Sequence, residues 1–190
     1  MHQLRTGVGC NVGKMNEQPY YKYIADADHY KEVLAMVIKV KHHLWIGTAD
    51  IKYLYVKDVS TAVSFLKIIA GLLRKGVEVR LFHAKEPGPN FREDFDKYPI
   101  LAKHLERVIC PRVHFKMIVF DLDIVYVGSA NLTGAGIGMK SEYKRNFEAG
   151  VLTNDPMFVE SAINQFDFVW NGSRCKKCGR KQYCADPPGK

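Results

Sequence analysis

The sequence predicts an α/β fold in which a mixed β-sheet is flanked by helices on both faces. Short apolar runs typical of buried strands occur at residues 44–46, 77–82, 113–120, 124–127 and 147–152. Helical patterns occupy residues 28–43, 58–76, about 92–107 and 155–170. Strands alternate with helices in the first half of the chain, whereas two strands flank a short Asp121-Leu122-Asp123 turn in the second half. Parallel and antiparallel pairs are therefore both expected in one sheet.

The predicted helices carry start and stop signals at their ends. Asp28 and Asp58 are placed as N-caps of the first two helices, and Gly76 follows the second helix, whose last turn is basic. Asp155 precedes Pro156, a residue that is well tolerated at the first helical position. A Pro- and Gly-rich loop at residues 84–90 separates the strand at 77–82 from the third helix.

Length and composition limit the class of protein. The chain has 190 residues, of which 47% are hydrophobic, so one packed domain is expected and disordered or fibrous folds are excluded. No window holds the roughly 18 consecutive apolar residues of a membrane span, and the first residues lack the apolar core of a signal peptide. We therefore expect a cytoplasmic protein without integral membrane association.

The chain divides into three predicted parts that differ in charge. These are an N-terminal extension at 1–24, a folded domain at 25–171 and a basic, cysteine-bearing tail at 172–190. The net charge is +8, and residues 171–190 hold six basic residues against one acidic residue. This excess makes nucleic acid a candidate partner, because Lys and Arg release counterions from phosphates, but charge alone does not identify the polyanion.

One motif carries recognisable chemistry. His114 and Lys116 alternate on a predicted strand, so their side chains share a face at the edge of the sheet. The full set, in chain order, is His114, Lys116, Asp121, Gly128, Ser129, Asn131 and Glu148.

These residue types form a phosphate site with a nucleophile. A neutral imidazole can attack phosphorus, while Lys116, Ser129 and Asn131 can contact the nonbridging oxygens. Glu148 or Asp121 can orient the imidazole of His114 and stabilise its protonated form. Two alternatives stay open: Asp121 as a turn residue, and Glu148 as an ordinary strand charge. Because no cluster of carboxylates accompanies the motif, the predicted chemistry is phosphodiester cleavage that needs no metal or other cofactor.

The ordered set resembles the phospholipase D superfamily, whose members carry H-x-K-x4-D followed by G-S-x-N and a downstream Glu. The resemblance covers about residues 25–170, including Gly76-Val77-Glu78-Val79-Arg80. It implies a phospholipase D-like fold and a two-step reaction. One histidine attacks phosphorus and forms a covalent phosphohistidine, and a second histidine from another motif protonates the leaving oxygen and then activates water.

This chain has only one complete motif. His83 and Lys85 repeat the H-x-K spacing, but Asn90 stands where the Asp belongs. A homodimer with two His114 residues facing each other would restore the pair. Single-motif members of this size resemble the dimeric endonucleases of the superfamily, so we expect an endonuclease that cleaves DNA or RNA. The alternatives are a phospholipid hydrolase or phosphatidyl transferase, and a non-catalytic nucleic-acid-binding module.

The tail holds a second candidate site. Cys175, Cys178 and Cys184 include a C-x2-C-G knuckle, a spacing common in structural zinc sites. Because such a site needs four ligands, Cys10 or Cys110 is the candidate for the fourth. Reduced thiols without a metal, oxidised thiols and an iron–sulfur cluster are the alternatives.

Overall fold

The computed structural model describes residues 18–58 and 61–185. Cys10 and the first 17 residues of the predicted N-terminal extension lie outside the described residues, as do Val59 and residues 186–190 of the tail.

A seven-stranded mixed sheet forms the centre of the protein. The order of its strands across the sheet is β1-β9-β8-β7-β2-β5-β6. The strands are β1 Tyr21–Ala25, β2 His43–Thr48, β5 Glu78–His83, β6 Glu106–Ile109, β7 Lys116–Phe120, β8 Ile124–Gly128 and β9 Ala149–Thr153. A separate hairpin pairs β3 Tyr55–Asp58 with β4 Thr61–Ser64.

The strand directions bring distant parts of the chain to one edge of the sheet. Strands β2, β5 and β6 are parallel, whereas β7 is antiparallel to β2, and β8, β9 and β1 continue antiparallel. Strands β2, β5, β6, β8 and β1 therefore end at the edge where β7 and β9 begin. We call this the carboxyl edge.

Helices cover both faces of the sheet, as the sequence predicts. They are α1 Phe65–Arg74, α2 Pro89–Asp96, α3 Pro99–His104 and α4 Pro156–Trp170. Along β2, Leu44 and Ile46 belong to the core that also contains Leu66 of α1, whereas Trp45 belongs to the core that contains Phe166 of α4. This alternation explains the continuous apolar run, since a strand between two helical layers is buried on both faces.

The first predicted helix is irregular. Its residues form a π-helical turn at His29–Val33 followed by a 3₁₀ helix at Leu34–Lys39, and both bury their apolar side chains against the sheet. The second helix begins later than predicted, because β3 and β4 precede it. Ser64 rather than Asp58 is its N-cap, and the Ser64 side chain accepts a hydrogen bond from the backbone N–H of Lys67.

The third predicted helix, 92–107, is wrong in extent. Two short helices and strand β6 occupy this stretch. Pro99 explains the break, because a residue that precedes proline disfavours helical geometry, and Tyr98 is indeed non-helical with ψ of 85°. Strand β6 then contains Arg107, the predicted end of the helix.

The last helix agrees with its prediction, whereas the domain boundary does not. Helix α4 begins at Pro156, and the Asp155 carboxylate accepts a hydrogen bond of 2.8 Å from the backbone N–H of Phe158. Strand β1 pairs with β9 along its whole length, so the sheet begins at Tyr21 rather than after residue 24.

A close contact at Gly47 supports the segment that leads into β7. A Cβ atom at this position would overlap the ring of Phe115, which also contacts the rings of Phe82 and Phe166. Phe115 lies between His114 and Lys116, so the missing side chain at Gly47 allows this segment to pack closely on β2.

We predict that Gly47→Ala lowers the free energy of unfolding by about 1–3 kcal/mol, because the new methyl group displaces the Phe115 ring. Urea unfolding measures this change in free energy, and the m-value should stay the same in the variant. Gly71→Ala in α1 is the matched control, since its Cβ meets no atom within 4 Å and Ala favours a helix by roughly 1 kcal/mol. Equal stability of Gly47→Ala and the wild-type protein would contradict the packing argument.

Candidate active site

Five of the predicted site residues meet at the carboxyl edge. His114 and Lys116 lie at the start of β7, Ser129 and Asn131 follow β8, and Glu148 precedes β9. The register aligns Lys116 with Gly128 and Gly128 with Gly150, so the ends of the three strands are adjacent. Residues far apart in the sequence are therefore brought together by strand pairing.

His114 and Lys116 are held side by side. His114 is exposed and lies two residues before β7, which begins at Lys116. The Lys116 ammonium donates a hydrogen bond of 2.7 Å to the backbone carbonyl of His114, and its Nζ lies 3.4 Å from Nδ1 of the imidazole. His114 and Lys116 therefore lie side by side at the start of β7, as the alternation predicted.

Lys116 combines a buried side chain with a positive charge. Its side chain is only 7% exposed. Burial lowers the pKa of Lys116 from its ordinary value because it disfavours the ammonium, and the negative charge of Glu148 partly opposes this effect. The residue supplies a desolvated cation next to the candidate nucleophile, where its field acts more strongly than in water.

Ser129 and Glu148 form a second rigid pair. The Ser129 hydroxyl donates a short hydrogen bond to one oxygen of Glu148, and the Asn146 amide donates one of 3.0 Å to the other oxygen. The backbone N–H of Ala149 donates to the Ser129 hydroxyl at 3.1 Å. Asn146 was missed by the sequence interpretation, although it lies two residues before Glu148, a spacing that places two side chains on one side of an extended segment.

Gly128 is required by its neighbours in this pair of strands. A Cβ atom there would overlap the hydroxyl end of Tyr126 and approach the Ala149 carbonyl oxygen to 2.7 Å. The glycine therefore lets the Tyr126 ring lie directly beneath the turn that carries Ser129.

Asn131 is fixed by the end of β2. Its carbonyl oxygen accepts hydrogen bonds from the Thr48 hydroxyl at 3.3 Å and from the backbone N–H of Asp50 at 3.1 Å. These two hydrogen bonds fix the orientation of the Asn131 amide. The sequence did not indicate Thr48 and Asp50 as partners of Asn131, because they lie about 80 residues earlier in the chain.

Asp121 lies at the opposite edge of the sheet, beyond the far end of β7. Its carboxylate accepts hydrogen bonds from the backbone N–H groups of Lys41, His42 and His43, at 3.1, 2.6 and 3.0 Å. Burial acts to raise the pKa of Asp121, but the three N–H donors outweigh it and lower the pKa overall. The structure thus favours the turn alternative, and the expectation that Asp121 orients His114 is corrected.

Among residues 18–58 and 61–185, no histidine other than His114 is exposed at the carboxyl edge. His83 is fully buried, its Nδ1 bonds the Lys85 carbonyl at 2.8 Å, and its Nε2 accepts a hydrogen bond of 2.8 Å from Arg107. His29 is fully buried against the ring of Tyr126. The remaining described histidines lie at the opposite edge of the sheet. His42 and His43 lie at the start of β2, and His104 lies just before β6.

The thiols of the tail lie near Cys110. Burial raises the pKa of Cys175, and the neighbouring thiols of Cys110, Cys178 and Cys184 raise it further. All four are free cysteines. Within the described part of the chain, no three Cys, His, Asp or Glu side chains are already arranged to hold a metal ion.

Comparisons with known proteins agree with this geometry. The family model described as cardiolipin synthase, PLD-like domain, matches residues 34–170. No curated protein sequence matches the chain. The chain is therefore a phospholipase D-like domain over most of its length. It belongs to the phospholipase D superfamily.

Solved structures share the fold at low sequence identity. NucT from Helicobacter pylori superposes with a TM-score of 0.60 at 14% identity, covering 81% of this chain and 97% of NucT. Nuc from Salmonella typhimurium, a phospholipase D family member, gives 0.59 at 19% identity, covering 81% and 95%. Phosphatidylserine synthase from Haemophilus influenzae gives 0.54 at 16% identity, covering 85% of this chain and 40% of the synthase.

The described helices are too short or too polar to cross a bilayer. The family match and the shared fold confirm the phospholipase D-like fold predicted from the sequence.

We predict that Asp121→Asn lowers the free energy of unfolding at neutral pH by about 1–2 kcal/mol while kcat stays within about twofold, because three charge-assisted hydrogen bonds are weakened far from His114. Asn suits the positive φ of 50° at this position, so the charge is the main change. Urea unfolding and steady-state kinetics give the two quantities.

The stability difference is also expected to depend on pH. Since the folded pKa of Asp121 is lowered, its contribution is complete above the unfolded pKa of about 3.9 and disappears as the pH falls through the folded value. Asp123→Asn in the same turn is the control. A loss of kcat on the order of a hundredfold without loss of stability would instead assign Asp121 to catalysis.

Proposed function

We propose that this protein is a metal-independent phosphodiesterase that cleaves DNA or RNA as an endonuclease, through a covalent phosphohistidine formed on His114. The observation that supports it is the exposed imidazole held 3.4 Å from the buried ammonium of Lys116. Ser129 and Asn131 lie at the same edge and can receive the phosphate oxygens. This arrangement joins a nucleophile to donors suited to the negative charge of the transition state.

The first step is an in-line displacement at phosphorus. An unprotonated ring nitrogen of His114 attacks, a P–N bond forms, and the P–O bond to the leaving strand breaks. The electron pair of that bond goes to the leaving oxygen, which takes a proton from a general acid. Lys116 and the amide of Asn131 stabilise the nonbridging oxygens while charge accumulates on them.

The second step returns the enzyme to its starting state. The same acid–base group, now neutral, removes a proton from water, the water oxygen attacks phosphorus, and the P–N bond breaks. His114 recovers its electron pair, and the product is a phosphate monoester. In both steps Glu148 holds Ser129 and supports the charge of Lys116, as its hydrogen bond and its electrostatic effect indicate.

The acid–base group of this mechanism is proposed to be the His114 of a second copy. Among the described residues the other histidines are buried or lie at the opposite edge, so one chain offers a single exposed imidazole at the carboxyl edge. A twofold axis through this edge would place two imidazoles on opposite sides of one phosphate. The homodimer is therefore part of the functional proposal.

Nucleic acid is favoured as substrate by the surface around the site. A groove of about 490 Å³ begins at Asp50, whose backbone N–H binds Asn131. It is lined further by Tyr53, Lys52 and Lys85, and the two lysines form ion pairs of 3.8 and 3.4 Å with the Asp50 carboxylate, for which a phosphate would compete. Lysines can follow a phosphate backbone, and an aromatic ring can stack on a base.

A second aromatic and basic surface lies next to Glu148. Tyr143 is 97% exposed and Phe147 is 96% exposed, and Lys144 and Arg145 lie between them. Exposed aromatic rings interleaved with cations are suited to unpaired bases and their phosphates.

Phospholipid hydrolysis or phosphatidyl transfer is the second candidate. The family description names cardiolipin synthase, and one structural neighbour is a phosphatidylserine synthase. The same His114 chemistry would serve a lipid phosphodiester. A non-catalytic nucleic-acid-binding module is the third candidate, and it requires no nucleophile.

We predict that the wild-type protein cleaves labelled single-stranded or duplex nucleic acid after brief treatment with EDTA. His114→Ala should lose at least about a thousandfold in kcat because the nucleophile is gone. His104→Ala, at the opposite edge, is the matched control and should retain full activity. Gel analysis of the products measures both.

Three results would contradict this proposal in different ways. Strict dependence on added Mg²⁺ would exclude the metal-independent mechanism. Release of a headgroup from phospholipid vesicles, with no cleavage of nucleic acid, would support the lipid candidate. Binding of nucleic acid without cleavage, unchanged in His114→Ala, would support the non-catalytic module.

We also predict that a purified heterodimer of one wild-type and one His114→Ala subunit is inactive, with activity below about a hundredth of wild type, because both steps need two imidazoles. Two different affinity tags allow its isolation, and a doubly tagged wild-type dimer is the control. A heterodimer with about half of the wild-type activity would show that each chain carries a complete site.

A further inference from the structure

Four cysteines from two distant segments meet beside the carboxyl edge. Cys110 follows β6 directly, and Cys175, Cys178 and Cys184 lie on the turns after α4. The thiols of Cys110, Cys178 and Cys184 are all close enough to Cys175 to affect it electrostatically. The active-site mechanism uses none of these residues.

Two contacts show how the tail reaches the segment after β6. The thiol of Cys184 lies 4.0 Å from the backbone carbonyl of Ile109. The guanidinium of Arg112 lies 3.8 Å from the sulfur of Cys178. The tail therefore docks on residues 109–112, on both sides of Cys110.

The segment that carries Cys175 and Cys178 is folded into two consecutive turns. The N–H of Cys175 bonds the Gly172 carbonyl at 2.8 Å, and the N–H of Cys178 bonds the Cys175 carbonyl at 3.1 Å. In addition, the backbone N–H of Arg180 donates to the sulfur of Cys178.

The surrounding charge also suits a metal–thiolate centre. Four thiolates around one Zn²⁺ carry a net charge of −2, and the basic residues of the tail and Arg112 can offset it. The basic residues next to the cysteines are Arg174, Lys176, Lys177, Arg180 and Lys181. The thiols are near one another but are not at coordinating spacing, so binding would draw the tail inward, as expected when metal binding is coupled to local folding.

We propose that Cys110, Cys175, Cys178 and Cys184 together bind one structural Zn²⁺ in tetrahedral geometry. Zinc is chosen over other metals because four thiolates in a C-x2-C-G setting form a closed tetrahedral site for it. This inference is independent of the proposed nuclease activity.

Such a site would join the tail to the segment that carries the nucleophile. Cys110 lies four residues before His114, and the backbone N–H of Val113 bonds the Cys110 carbonyl at 3.0 Å, closing a turn between them. A zinc ion on Cys110 would fix the start of this turn. With four protein ligands it would have no open position for substrate, so its role would be structural.

The test is the metal content of the full-length protein purified under reducing conditions without chelator. Elemental mass spectrometry should find about one zinc ion per chain, as one four-ligand site requires. Cys178→Ser and Cys110→Ser should each fall below about a fifth of that content, since three ligands hold zinc weakly. Cys10→Ser is the matched control and should keep its zinc.

Replacement by Co²⁺ provides a readout that does not depend on variants that fold poorly. The wild-type protein should show the visible absorption of tetrahedral cobalt–thiolate, and zinc should displace it. Hydrogen exchange should show residues 110–116 exchanging faster after the metal is removed by a thiol-competing chelator.

Several outcomes would overturn the proposal. They are a wild-type protein without zinc, a Cys175–Cys178 disulfide in its place, or iron with the colour of an iron–sulfur cluster. Loss of zinc in Cys10→Ser with retention in Cys110→Ser would show that Cys10 is the fourth ligand. Nuclease activity in the absence of zinc would leave the proposed function intact, so the two proposals fail separately.

Discussion

The hydrogen bond from the Lys116 ammonium to the His114 carbonyl is the contact on which the candidate site depends. A lysine that is only 7% exposed has lost much of its hydration, so its ammonium needs hydrogen-bond acceptors and negative charges around it as compensation. The His114 carbonyl and the Glu148 carboxylate supply that compensation. The charge of Lys116 therefore fixes the backbone of the candidate nucleophile, and in the proposed reaction the same charge would stabilise the phosphate.

The mixed topology of the sheet makes this contact possible. Because β7 is antiparallel to β2, its first residue lies where β2, β5 and β6 end. Phe115, which lies between the two site residues, packs on Gly47 and against the rings of Phe82 and Phe166. The rigid core thus determines the direction of His114 and Lys116, which is the arrangement that a preorganised site needs.

The sequence predicted the parts of the site that lie close together in the chain. The spacing of His114 and Lys116 implies adjacency in any extended segment, and the Gly128–Asn131 run follows a strand whose end is visible in the sequence. Partners from distant segments could not be predicted, because strand order decides them. Asn131 is held by Thr48 and Asp50, and Asp121 is turned toward the backbone of Lys41 by a pairing that its own spacing does not reveal. The same limit explains the third helix, where local apolar spacing concealed the break at Pro99.

The most direct test of the account is the identity of the residue that becomes phosphorylated during turnover. Rapid quenching of the enzyme with labelled nucleic acid under alkaline conditions, which preserve phosphohistidine, followed by peptide mass spectrometry, locates the adduct. The account predicts a nucleotidyl group linked through phosphorus to a ring nitrogen of His114. Cleavage by the same preparation with the adduct on another residue, or with direct attack of water and no adduct at all, would contradict it.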